Sequence, residues 1–120
     1  LVPQTFVNAA ATVAWADDGH VAERRKCFFE KKSLFLAFFD SVGIEVIGRD
    51  ATLYLWVKVP PEFSAEAWAL KLLDFGIVVS PGTMYSVMGN PQDYVRLAMV
   101  PNKEDCMAAI TQFQKIIGGA

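Results

Sequence analysis

Arg96 is the residue of this chain that most needs a chemical explanation. It stands in YVRLAMV (94–100), where alternation puts Tyr94, Arg96 and Ala98 on one face of a strand and Val95, Leu97 and Met99 on the other. A guanidinium among apolar neighbours must meet an anion, because an unpaired buried charge is costly. Two kinds of anion fit. One is a carboxylate of the chain itself, such as Asp93 or Glu45, the commoner arrangement for a strand arginine. The other is a ligand carboxylate held by the bidentate fork. The remaining candidates read as structure. Ser80, Pro81, Gly82 and Thr83 have the composition of a turn, with Gly82 at a special backbone angle. A phosphate cradle would need more glycines and a helix starting directly after. His20 opens a helix beside Asp17 and Asp18 and has no Ser or Cys partner to activate. Cys27 and Cys106 lie far apart and, with a single histidine, make no zinc site of ordinary spacing. They read as two buried thiols. Arg24, Arg25, Lys26, Lys31 and Lys32 are interspersed with Glu23 and Glu30, the pattern of a solvated helix face.

The elements that must position Arg96 follow from periodicity and punctuation. Phe6, Val7, Ala10, Val13 and Ala14 recur at helical spacing in an Ala-rich, chargeless first helix. Asp17, Asp18 and Gly19 break it, and either aspartate can cap a second helix over about 20–42. That helix is polar in its first half and packed with Phe in its second. It is also longer than a small domain needs, so one end is expected to reach toward a neighbour. Two extended runs follow, over 44–48 and 51–59, joined by Arg49 and Asp50 and stopped by Pro60 and Pro61. Ser64 caps a third helix bearing Trp68, Leu72 and Phe75 on one face, and Gly76 closes it. A third strand is predicted at 77–79 and a fourth at 94–100. Asn102 caps a last helix with apolar positions Met107, Ile110, Phe113 and Ile117. The order α-α-β-β-α-β-β-α implies an α+β two-layer sandwich. Its sheet is four-stranded and mostly antiparallel, with helices on one face.

Composition narrows the function classes. With 120 residues there is room for one domain, and 53% hydrophobic against 20% charged residues excludes intrinsic disorder. That apolar content is high for a small domain, so part of its surface is expected to meet another protein surface. Residues 1–60 carry seven charges of each sign, and 61–120 carry four basic and six acidic. Neither half has the basic field that nucleic acid requires. The longest uncharged run, 1–16, contains Gln4, Thr5, Asn8 and Thr12 and is too short and polar to span a membrane. The chain begins at Leu1 without a methionine and enters patterned sequence at once, as an excised piece would.

Four stretches, in order, carry a resemblance: PQTFVNAAATVAWADDGHVAERRKCFFEKK, ATLYLWVKVP, GIVVSPGTMY and YVRLAMVP. Together they resemble the C-terminal small domain of fold-type I, pyridoxal-phosphate-dependent aminotransferases of class I/II. Within that family they look most like the succinyldiaminopimelate group of bacterial lysine biosynthesis. The resemblance implies that Arg96 grips the α-carboxylate of the amino-acid substrate, with Pro81, Gly82 and Tyr85 in a loop at the pocket. The family often has Phe-Gly after SPG-x-x, where this chain has Tyr85 and Ser86. It further implies that residues 1–30 bridge to a missing N-terminal large domain, in a homodimeric cytoplasmic enzyme that transaminates succinyldiaminopimelate with glutamate. Pyridoxal 5'-phosphate would be held by that large domain, through a lysine in a Ser-x-Lys segment and an aspartate on the pyridine nitrogen. Lys31, Lys32 and Ser33 lie within a helix and do not match that segment. The 120 residues alone are therefore expected to bind no cofactor and to be inactive. The alternative is a stand-alone α+β ligand-binding or regulatory module that dimerises through its apolar surface.

Overall fold

The computed structural model describes residues 2–86 and 93–118. Two helices come first, α1 (Thr5–Ala16) and α2 (Asp18–Ser41). Asp17 separates them and caps α2, its carboxylate accepting from the amides of Gly19 at 3.0 Å and His20 at 3.4 Å. Strands β1 (Val46–Ile47) and β2 (Tyr54–Lys58) follow, then α3 (Ala65–Asp74) and β3 (Ser80–Pro81). A short 3-10 helix (Gly82–Tyr85) leads on toward β4 (Tyr94–Ala98), and α4 (Lys103–Gly118) ends the described chain. The expected cap residues serve: Ser64 accepts from the Ala67 amide at 3.2 Å, and Asn102 from that of Asp105 at 2.8 Å. Gly43 (φ +70°) and Gly76 (φ +78°) take the left-handed conformation just past α2 and α3, where a side chain would be strained.

The four strands form one antiparallel sheet in the order β1-β2-β4-β3. The α+β arrangement read from the sequence is the one observed. Register fixes the two faces of the sheet. Val46, Leu55, Val57, Val95 and Leu97 point to one side and join Phe35, Phe38 and Phe39 of α2, Trp68 and Leu72 of α3, and Phe113 and Ile116 of α4 in the core. Phe39 is central there. Its ring centroid lies 5.2 Å from that of Phe38, 5.4 Å from Phe113 and 6.1 Å from Phe35. Among the described residues no α-helix packs on the opposite face. It presents Tyr54, Trp56 and Lys58 of β2 beside Tyr94, Arg96 and Ala98 of β4, with Ser80 beyond.

Some details depart from the sequence reading. The strand expected at 77–79 is displaced to Ser80–Pro81. Ile77 is buried and its amide bonds to Leu72 O at 3.0 Å, so this run completes the end of α3 before pairing begins. Pro81, lacking an N–H, is tolerated because β3 is an edge strand. Gly82 begins the 3-10 helix and is not among the glycines with positive φ. In α4 the buried positions are Cys106, Phe113 and Ile116, while Met107 faces outward. Cys27 is exposed, and only Cys106 is a buried thiol.

Lys31 and Lys32 are the clearest departure. They are 3% and 6% exposed, not solvated. Lys31 Nζ donates to Pro101 O at 2.7 Å, and Lys32 Nζ donates to Ala51 O at 2.8 Å. Two adjacent cations thus tie α2 to the segment after β4 and to the segment before β2.

The N-terminal region behaves differently. No residue of α1 is buried; Phe6 is 71% and Trp15 88% exposed. With α1 and the first half of α2 extending away from the core, the longest dimension reaches 57 Å. The radius of gyration is 17.7 Å, against roughly 14 Å for a compact chain of this length. The overhang expected from the polar-to-Phe gradient in α2 is therefore present.

Candidate functional site

Strand β4 brings Arg96 to the middle of the face opposite the α-helices, directly across from Trp56 on one side and Ser80 on the other. The side chain is half-buried. Among the described residues no carboxylate lies within ion-pair distance of it, and its Nε is buried without a hydrogen-bond partner. The two internal carboxylates considered from the sequence are not its partners. Glu45 is occupied elsewhere, accepting from the Tyr94 hydroxyl at 3.0 Å and lying 3.5 Å from Lys58 Nζ. That bond to a carboxylate holds the Tyr94 phenol above its ordinary pKa. Asp93 makes no ion pair with Arg96 either.

Aromatic rings surround the cation instead. The Arg96 Cζ lies over the Tyr54 ring, 4.3 Å from its centroid, and over the Tyr85 ring at 4.5 Å. These rings arrive from opposite flanks of β4, one from β2 and the other from the 3-10 helix that follows β3. Tyr85 also meets Trp56 edge-on, with centroids 5.5 Å apart and planes at 87°. The segment bearing Tyr85 is anchored: the Thr83 hydroxyl donates to Glu66 of α3, and the Ser86 amide bonds to Thr83 O at 3.3 Å. The Thr83 bond pulls the Glu66 carboxyl below its usual pKa.

Of the loop residues named from sequence, the fold brings only Tyr85 to Arg96. Pro81 pairs with Val95, which faces the helices, and it lines a groove with Ala69, Leu73 and Val79. Gly82 is buried at the start of the 3-10 helix. Tyr54 and Trp56 were not singled out from the sequence. Alternation in YLWVK does place them on one face. That this face meets Arg96 depends on the β2–β4 register, which no local signal sets. His20 sits in an exposed surface pair, Nδ1 3.1 Å from Asp17 Oδ2. Among the described residues no cluster of His, Cys, Asp or Glu could hold a metal ion, and no helix is long and apolar enough to cross a membrane. What the site offers chemically is a guanidinium with no acidic partner among the described residues, set beside two tyrosine rings and suited to a carboxylate.

Comparison with known proteins identifies the family. Residues 1–113 match the family described as aminotransferase class I and II. The chain is 28% identical over 99 residues to the LL-diaminopimelate aminotransferase of Moorella thermoacetica, covering 82% of this chain and 25% of that protein. It is 31% identical over 110 residues to LL-diaminopimelate aminotransferase 2 of a Nostoc species, covering 90% and 28%. In fold it is similar to a solved aminotransferase structure from Staphylococcus aureus, with a TM-score of 0.81 at 20% identity over 91% of this chain and 29% of that one. The chain thus spans about a quarter of the length of the curated relatives it matches.

Proposed function

Since the chain belongs to the class I and II aminotransferase family, we propose that it is the substrate-gripping small domain of a pyridoxal-phosphate-dependent amino-acid aminotransferase. In this reading Arg96 holds the substrate α-carboxylate. The observation that carries the reading is a half-buried strand guanidinium with two tyrosine rings and no acidic partner among the described residues. A bidentate carboxylate would satisfy its in-plane donors and fix the substrate's orientation, a contribution of positioning.

The described residues do not fit pyridoxal phosphate. Its anchor would be a lysine amine free to condense with an aldehyde. Lys31 and Lys32 are committed to backbone carbonyls, Lys58 pairs with Glu45 and Lys103 with Glu30 at 3.6 Å, Lys71 lies over the Phe63 and Trp68 rings, and Lys26 and Lys115 stand exposed on helix surfaces with no enclosing site. Asp40, an aspartate close to the sheet's edge, is held in a two-pronged pair by Arg49. The cofactor's anchor would therefore lie in another part of the enzyme. The bare apolar surface of α1 supports residues 1–30 as the bridge to that part, in a cytoplasmic homodimer.

The relatives' names bring the substrate to a diaminopimelate and the pathway to lysine synthesis. The ATLYLWVKVP and YVRLAMVP motifs favour the N-succinyl derivative, with glutamate as the amino donor. The test is the amino-donor half-reaction in the holoenzyme that carries this chain. Arg96→Lys keeps the charge and loses the planar fork, and should lower kcat/KM for glutamate by about 10²-fold. An unchanged kcat/KM would remove Arg96 from the site. Comparing free with N-succinylated diaminopimelate as substrate decides between the two forms.

A further inference from the structure

We propose that Tyr54 and Tyr85 are positioning residues for Arg96, holding its guanidinium in place of the acidic partner that a strand arginine ordinarily has. This rests on the reading of Arg96 as a carboxylate clamp. An orienting group for such a clamp must leave its N–H donors free. An internal Asp or Glu would fix the guanidinium and also occupy the N–H donors that a ligand carboxylate needs. It would compete with substrate and cancel the attracting charge. A ring face holds the cation through its quadrupole and takes none of those N–H hydrogens.

The structure has the second arrangement. The Cζ atom lies 4.3 and 4.5 Å from the Tyr54 and Tyr85 centroids. Glu45, whose carboxylate reaches Tyr94 of the same strand, is engaged by Tyr94 and Lys58. The buried Nε of Arg96 has no hydrogen-bond partner among the described residues. The two rings are themselves fixed by separate means. Tyr54 begins β2, directly opposite Ala98 of β4. Tyr85 packs edge-on against Trp56, at the end of a segment tethered through Thr83 to Glu66. The ring contribution should be specific to substrates that present an α-carboxylate. An amine without that group would not use it.

The experiment measures half-reaction dissociation constants in the holoenzyme that carries this chain. It uses glutamate and 4-aminobutyrate, which is glutamate without its α-carboxylate. Their ratio is the readout, because a general loss of structure moves both constants together. Tyr54→Leu and Tyr85→Leu should each reduce the preference for glutamate about five- to tenfold, and Tyr54→Phe and Tyr85→Phe should restore it to within about twofold. On an Arg96→Lys background the leucine changes should add little, since the group they position is gone. Tyr85 is 45% exposed, so its variants test the idea without endangering the core. If both amines weaken equally, or if Phe fails as Leu does, the positioning role is wrong. If Arg96→Lys loses the preference while neither leucine variant does, the clamp stands and the ring contribution falls. If Arg96→Lys keeps the preference, the clamp reading itself falls.

Discussion

Replacing Arg96 by methionine should cost the folded chain no more than about 1 kcal/mol and could stabilise it, an unusual expectation for a half-buried arginine. The magnitude follows from the contacts. The substitution removes two cation–ring contacts, each worth about 0.5–1 kcal/mol at a partly exposed site. It also removes a buried Nε–H that has no acceptor among the described residues, a defect costing about 1–3 kcal/mol. Methionine retains most of the aliphatic stem and keeps the strand's packing. The balance runs from about 1 kcal/mol of destabilisation to about 2 kcal/mol of stabilisation. Arg96→Ala also loses the stem and should fall within about 1 kcal/mol of the parent. Urea unfolding of the 120-residue chain, followed by circular dichroism, gives these differences if the slope against urea stays constant. In the holoenzyme the same change should abolish the preference for glutamate, so stability and activity move apart. A loss of 2 kcal/mol or more for Arg96→Met would refute the reasoning. It would mean that the guanidinium is tied into the scaffold.

Three other expectations can be checked on the same material. Lys32→Met keeps the buried stem but leaves Ala51 O without its charge-assisted donor, and should cost about 1.5–3 kcal/mol in urea unfolding; Lys31→Met should behave alike through Pro101 O. The Arg49 fork holds the Asp40 carboxyl below its ordinary value of 3.8. Its stabilisation is therefore present above that value and lost as pH falls through the lower, folded-state pKa. The melting-temperature gap between the parent and Asp40→Asn should accordingly close below about pH 4, and a gap that widens there would contradict the pairing. Mixed with pyridoxal phosphate, the 120-residue chain should show no stable absorbance near ~420 nm, the signature of a lysine Schiff base; a persistent band there would place a reactive lysine among these residues.

The layout of the fold was legible because its signals are local. Asp17, Ser64 and Asn102 cap the helices they precede, and alternation in YVRLAMV assigned Arg96 to the face opposite Val95 and Leu97. The overhang of α2 was legible too, since its first half is polar and its second half is packed with Phe. What escaped the sequence depends on tertiary pairing. Lys31 and Lys32 look like solvated cations until carbonyls 70 and 19 residues away arrive beside them. The strand at 77–79 looked sound by composition, yet Ile77 is drawn into the end of α3. The aromatic surroundings of Arg96 were hidden because Tyr54, Trp56 and Tyr85 come from elements flanking β4. Only the register of those elements brings them together.

Whether Arg96 receives a substrate carboxylate can be read most directly from a crystal structure of the holoenzyme with a bound, unreactive analogue of glutamate. One carboxylate should lie on the face of the sheet opposite the α-helices. Its two oxygens should sit about 2.8 Å from the guanidinium nitrogens of Arg96, the distance of a charge-assisted pair, with Tyr54 and Tyr85 still against the cation. A carboxylate bound elsewhere, with Arg96 turned to Asp93 or Glu45 in a two-pronged internal pair, would contradict the clamp reading.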